Sequence, residues 1–313
     1  MTSPHTFTLR QLQYAEAVAD TLSFRKAAAR CAVSQPALSA QLAQLEAGLG
    51  VRLFERDRRH VLLTSAGAAL LPRMRDLLVS SDDLALAAKK ASEPLTGTLR
   101  LGVIPTIAPY LLPRATPLLR RRFPKLTLAW REDKTASLLA ELQAGTLDGM
   151  LAAQTSDLSS LAREVLGQDP FVLAAARNHP LVQHTKPLEL SALRDEDVLL
   201  LDEGHCLRDQ ALSFCTRARA HELEFRATSL PTLAQMVAGG AGVTLLPALA
   251  WDTESRRAEL KLRPFRAPVP GRTVALYWRK TSPWGESLKE VAAAMREVFD
   301  ALEEKVAAHR AGA

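Results

Sequence analysis

The sequence is poor in cysteine: Cys31, Cys206 and Cys215 are the three in 313 residues. Three thiols cannot build the disulfide framework of a small secreted domain, so the fold must rest on an apolar core. No run approaches the roughly 18 consecutive apolar residues that span a bilayer. The start, Met1-Thr-Ser-Pro-His, lacks the basic-then-apolar order of an export signal. Internal repeats and low-complexity tracts are missing too. These absences point to a cytoplasmic chain with no membrane partner and with reduced thiols. No metal-ligand cluster or hydrolase elbow appears, so neither a metal nor any other cofactor is expected. Gly239-Gly240-Ala241-Gly242 ends a helix before a strand, the reverse of the order a phosphate loop requires.

What is present is a globular composition, 47% hydrophobic and 24% charged, long enough for two or three domains. Lys and Arg number 40 against 34 Asp and Glu, a net charge of +6. Residues 1–63 carry eight Lys/Arg and five Asp/Glu, so half of the excess lies in a fifth of the chain. That asymmetry suits a nucleic-acid contact at the N-terminal end.

That end reads as a helix-turn-helix with a wing. Leu12, Ala15, Val18 and Ala19 recur at helical spacing, and Ser23 caps a short helix through Ala27–Ala29. Ser34 caps a third helix with Pro36 in its first turn and Leu38, Leu42, Leu45 and Leu49 as its buried stripe. Two strand-like runs, Val51–Phe54 and His60–Leu63, flank the basic turn at Arg56–Arg59. The stripe leaves Pro36, Ser39, Ala40 and Ala43 on the opposite face of the third helix, with Gln35 at its exposed end. This face is short and free of acids, so it can enter a major groove. Ser34, Gln35, Pro36, Ser39 and Gln41 are the candidate groove contacts. Arg25, Lys26, Arg56, Arg58 and Arg59 are candidate phosphate contacts.

Thr64–Lys90 predicts a long helix of about 40 Å, kinked near Pro72. Leu70, Leu71, Met74, Leu77, Leu78 and Leu84 lie along one side of it, a stripe that a second copy would bury. A hinge follows at Ser92–Gly97. Beyond it strands and helices alternate, predicting two α/β lobes with mostly parallel sheets and a break near Gly167–Pro170. The Arg120–Arg122 run reads as a solvated helix end.

These residues carry a resemblance. SQPALSAQ at Ser34–Gln41, LGVRLFER at Leu49–Arg56 and TSAG at Thr64–Gly67 resemble the N-terminal domain of LysR-type transcriptional regulators. The resemblance implies an α+β multidomain protein: a winged helix-turn-helix over 1–63, and a dimerising linker helix and hinge over 64–93. A periplasmic-binding-protein-like regulatory domain of two lobes would follow, 94–168 plus 270–313 and 169–269. It implies double-stranded promoter DNA and RNA polymerase as partners, and a homodimer through the linker helix that pairs into a tetramer.

The segment LLDEGHCLRDQALSFC at Leu200–Cys215 resembles the redox centre of the peroxide-sensing OxyR branch of that family. IPTIAPYLLP at Ile104–Pro113, EDKT ending at Thr135, FRATSL at Phe225–Leu230, GVTLLPALA at Gly242–Ala250 and RTVALYWR at Arg272–Arg279 extend it over the chain. It implies that Cys206 is oxidised by hydrogen peroxide to a sulfenic acid, which Cys215 resolves to a disulfide. Thr106 would position the peroxide, and Thr135, His205, Asp209 and Arg272 would line or support the pocket. Thiol reductants such as glutaredoxin would restore the reduced form. The residues themselves add that Cys206 opens a helix-like run, where the helix dipole and nearby Arg favour a thiolate. If that run is helical, Cys215 lies about 13 Å away, beyond the roughly 7 Å that a disulfide allows. The bond would then require Leu207–Phe214 to unwind. Two other readings stand beside this one: a LysR regulator that binds a small effector between its lobes, with incidental buried cysteines, and a thiol peroxidase.

Overall fold

A computed structural model describes residues 7–56 and 61–311, and the chain divides into two compact units at Lys89/Lys90. In the first unit each helix starts where a side chain satisfies its free amides. Helix α1 (Leu9–Thr21) begins with a reciprocal capping box between Thr8 and Gln11. Ser23 caps α2 (Phe24–Arg30), and Ser34 caps α3 (Gln35–Leu49) with Pro36 in the first turn. Leu12, Val18, Ala27, Leu38, Leu42 and Leu45 are buried together between them. At about 1.5–3 kcal/mol per large side chain, this burial rather than helix propensity holds three short helices in place.

The wing pairs β1 (Phe54–Arg56) with β2 (Val61–Leu63) in antiparallel register, Phe54 against Leu63. Its first strand starts later than the expected Val51. Gly50 ends α3 in the left-handed region, Val51 N–H returns to the Glu46 carbonyl, and the Glu46 carboxylate accepts from Leu53 and Phe54 N–H. Those backbone groups are therefore held by α3 and not by a strand partner. Helix α4 (Ser65–Ser92) runs continuously through Pro72. Its expected single stripe splits in two: Met74 and Leu78 join the core of the first unit, whereas Leu77 and Leu84 are exposed.

The second unit opens with β3 (Gly97–Val103), α5 (Ala108–Arg122), β4 (Leu126–Glu132), α6 (Thr135–Gln143) and β5 (Gly149–Ala153). Then come β6 (Ala162–Ala175), β7 (Asp197–Leu201), α7 (Cys206–Ala218), β8 (His221–Ala227) and α8 (Leu230–Ala238). Strand β9 (Thr244–Pro247), α9 (Trp251–Arg257), β10 (Lys261–Pro264), β11 (Gly271–Trp278) and α10 (Gly285–Ala311) complete it. The large sheet has the order β10-β6-β11-β5-β3-β4, with β9 also on β6, and β7 pairs with β8 in a second sheet.

The structure corrects two further expectations. The sheets are mixed: β3 pairs in parallel with β4 and β5, and β7 with β8, but every pairing of β6 and β11 is antiparallel. Strand β11 is late in sequence yet inserts between β5 and β6, which alternation along the chain does not reveal. Gly167–Pro170 is no break either, because β6 runs through it with a bulge at Leu166. Gly167 serves packing there, since a Cβ atom would lie 2.5 Å from the Phe299 ring of α10. Among the described residues, no helix is long and apolar enough to cross a membrane.

Candidate functional site

On the first unit the Leu38/Leu42/Leu45 stripe turns the other side of α3 outward. Gln35, Pro36, Ala40 and Ala43 are exposed, and Ser39 is half-buried. Arg25 and Lys26 are exposed on α2, on the same unit. The Ser34 hydroxyl is engaged as the cap of α3, accepting from Ala37 N–H at 3.3 Å. Gln41 is less available than the other candidates, because its amide oxygen accepts from the buried Gln11 of α1 at 3.1 Å. Arg56 ends β1, while Arg58 and Arg59 lie outside the described residues.

On the second unit Cys206 is the first residue of α7, and no side chain caps that helix. The first-turn amides of α7 are left without a side-chain partner at the end of the helix where its dipole is positive. Arg208, the nearest arginine in the sequence, is committed elsewhere. Arg208 pairs with Glu222 at 2.7 Å and donates to the Leu201 carbonyl. Both cysteines are free and buried, and α7 is an unbroken helix between them. Nine residues at 1.5 Å each separate their Cα atoms by about 13 Å, too far for a bond while the helix persists. Burial first, then the Glu222 carboxylate, pushes the Cys215 thiol up to about 11. Phe214 stacks edge-to-face on Phe171 of β6 at 5.8 Å and carries Arg217 on its ring, so the C-terminal half of α7 is anchored.

Cys206 lines a cavity of about 330 Å³ whose other walls include Thr135, Ala136, Thr155, Gly204 and Asp209. The structure thus brings Thr135 and Asp209 to Cys206. The hydroxyls of Thr135 and Thr155 are buried without a hydrogen-bond partner, as are Nε2 of His205 and Oε1 of Gln210. Such groups are costly unless something hydrogen-bonds to them. His205 is buried at the cap position of α7. Burial first, then the Lys134 ammonium, lowers its pKa and favours the neutral ring.

Thr106 and Arg272 meet each other but do not line that cavity. Arg272 donates to the Thr106 hydroxyl at 2.6 Å and to its carbonyl at 3.0 Å. The Thr106 side chain does not cap α5, whose cap position is Ile107. Arg272 also holds Asp169 of β6, at 3.0 Å from Nε and 2.9 Å from Nη2, and Asp169 accepts from Leu249 N–H. Asp169 is not among the residues expected from the sequence. Its signal is an acid standing between the apolar runs of one strand, masked where Gln168-Asp-Pro reads as a break. Thr155 and Gln210 carry no such signal, for residues of their kind occur in any loop or helix.

Residues 92–300 match the LysR substrate binding domain, and residues 9–68 match the bacterial regulatory helix-turn-helix protein of the lysR family. The chain is 42% identical to a hydrogen peroxide-inducible genes activator of Dickeya chrysanthemi, over 97% of this chain and 99% of that protein. Its fold is similar to a full-length OxyR cysteine-to-aspartate mutant from Pseudomonas aeruginosa. The TM-score is 0.74 at 34% identity, over 94% of this chain and 96% of that one. It is also similar to a hydrogen peroxide-bound cysteine-to-serine mutant of Corynebacterium glutamicum OxyR. There the TM-score is 0.65 at 36% identity, covering 97% and 95%.

Proposed function

The chain belongs to the LysR family of bacterial transcriptional regulators, and on that footing we propose that it is a cytoplasmic, peroxide-sensing activator of the OxyR kind. One observation carries the reading. Cys206 sits at the uncapped start of α7, in a cavity with the unpartnered hydroxyls of Thr135 and Thr155, and Cys215 lies near the end of the same helix. The Cys206 thiolate attacks one peroxide oxygen, the O–O bond breaks, and the departing hydroxide takes a proton from the surrounding donors and leaves as water. The sulfenic acid at Cys206 is then attacked by the Cys215 sulfur, releasing a second water and closing the disulfide. Asp209 lines the same cavity, and His205 precedes Cys206 in the chain. Thr106, held by Arg272 outside the cavity, would position the peroxide once the reacting site closes on it.

The second step demands that α7 open, which turns a local bond into a change of the regulatory unit. Residues 1–63 contact DNA, 64–93 form the linker, and 94–313 make the two-lobed sensor, its cysteines in the lobe of 169–269. The groove contacts are Gln35, Pro36 and Ser39 on α3, with Ser34 as its cap, Gln41 beside it, and Arg25, Arg56, Arg58 and Arg59 on phosphates. A homodimer through α4, pairing into a tetramer, acts on promoter DNA and RNA polymerase, and glutaredoxin-type thiols reset it. Each molecule reacts once per oxidation, as a switch and not as a turning-over peroxidase.

The test is Cys206→Ser in the full chain. Peroxide should no longer shift its promoter footprint. Non-reducing mass spectrometry should find a Cys206–Cys215 link in the oxidised parent. A footprint that still responds in the variant would sink the reading.

A further inference from the structure

Lys134 joins two elements that carry walls of the cavity at Cys206, α6 and the turn before α7. Its backbone starts α6: it occupies the cap position, and its carbonyl accepts from Leu138 N–H at 3.1 Å. The next residue, Thr135, lines the cavity. The Lys134 side chain ends on the turn that precedes α7. Nζ donates to the Glu203 carbonyl at 2.7 Å and lies 3.8 Å from the Asp202 carboxylate. Its aliphatic stem lies against Gly204, where a Cβ atom would stand 3.1 Å from Cδ. Gly204 adopts φ +84°, a conformation that favours glycine, so the turn is specified locally as well as held from α6. Two residues after Gly204 comes Cys206.

One side chain therefore spans from the element that carries Thr135 to the turn that carries Cys206. A second tie, from α7 toward this side of the cavity, is longer: Gln210 Nε2 donates to the Gln154 carbonyl at 3.4 Å. Breaking the Lys134 bonds would leave the Thr135–Cys206 spacing to packing and that longer contact, and a reacting geometry tolerates little slack. The same bonds fix the Asp202–Gly204 turn from which α7 starts, so a rearrangement of the first turn of α7 must work against that anchor.

We propose that Lys134 is a positioning residue for the peroxide reaction: it sets Cys206 against Thr135 for the first step and restrains the opening of α7 in the second. The inference rests on the redox reading of Cys206. It gives Lys134 opposite effects on the two steps, which loss of local structure would not produce.

The experiment compares reduced full-length parent, Lys134→Met and Lys134→Arg. Sulfenic acid formation with hydrogen peroxide is followed by dimedone trapping in a Cys215→Ser background, and disulfide closure by non-reducing mass spectrometry in chains that keep Cys215. Alkylation of Cys206 by iodoacetamide reports general thiol reactivity. Lys134→Met should slow peroxide oxidation at least tenfold, keep alkylation within threefold, and close the disulfide faster once the sulfenic acid has formed. Lys134→Arg should hold the peroxide rate within threefold of the parent. An unchanged peroxide rate in Lys134→Met overturns the proposal. So does a parallel fall in peroxide and iodoacetamide reactivity, which would mean that the site had simply loosened. A parent that forms no sulfenic acid at Cys206 overturns the redox reading itself, and with it this inference.

Discussion

Cys215 holds its proton more firmly than an ordinary thiol, because burial in the C-terminal half of α7 and the neighbouring Glu222 carboxylate both penalise the thiolate. At a pKa of about 11, roughly one molecule in ten thousand carries the thiolate at neutral pH. In the proposed switch, such a sulfur would react slowly while the helix is intact and faster once it opens, which would guard the resting protein against adventitious disulfides. The raised pKa also ties stability to pH. The native state keeps the Cys215 proton above the pH at which the unfolded chain releases it. The native state therefore binds more protons, and its advantage is complete below about pH 9 and lost as pH climbs toward 11. Parent and Cys215→Ala, unfolded by denaturant at pH 8 and pH 11, should differ in how much stability they lose. The parent should lose about 2–3 kcal/mol more than the variant, since a tenfold difference in proton affinity between the two states is worth about 1.4 kcal/mol. Parallel losses would show that Cys215 titrates as it does in the unfolded chain.

At the level of elements, the junction of the wing and α4 is tightly packed. Gly67 stands in the first turn of α4, where its N–H donates to the Thr64 hydroxyl at 2.9 Å. A Cβ atom at this position would lie 2.1 Å from the Leu53 carbonyl oxygen. That atom belongs to backbone already held by the Glu46 carboxylate, so it has little freedom to move aside. Gly67→Ala should destabilise the first unit by roughly 2 kcal/mol and lower its melting transition by about 10 °C, with a matching loss of DNA affinity. Calorimetry on the full chain would check this, and an unshifted first transition would refute it. The glycine was legible in the sequence as part of Thr64-Ser-Ala-Gly67, as were the caps Ser23 and Ser34 and the stripe Leu38/Leu42/Leu45. The caps and the stripe follow from spacing within one element, and Gly67 from the resemblance its motif carries. What escaped depends on partners distant in sequence. Gly167 packs on Phe299, Asp169 meets Arg272 across 103 residues, and Thr155 comes to Cys206 through folding alone. Leu77 and Leu78 illustrate the limit most simply. They are adjacent and equally apolar, and a step of about 100° around the helix sends one outward and the other into the core.

For the whole molecule, that difference decides how two copies could meet. Leu77 is 47% exposed and Leu84 73% exposed, one heptad apart on α4. Met74 and Leu78 are already committed to the core of the first unit. The leucines left outside therefore define a narrow seam, and symmetry would use it twice in a dimer. Burying four large side chains at about 1.5–3 kcal/mol each is enough to matter for association, though part of it is offset by the entropy lost when two chains join. The same pairing would place two copies of α3 on one duplex, so that the second half-site is bound at a high effective concentration. Leu77→Lys with Leu84→Lys keeps the buried Met74 and Leu78 and puts like charges on the seam. Sedimentation equilibrium at micromolar protein should move the variant toward monomer. Its affinity for a two-half-site promoter should fall by a factor of ten or more, while its thermal unfolding stays near that of the parent. Binding to a single half-site should change little, since α3 and its cap are untouched. A variant that remains dimeric with full promoter affinity would place the dimer contact on another surface.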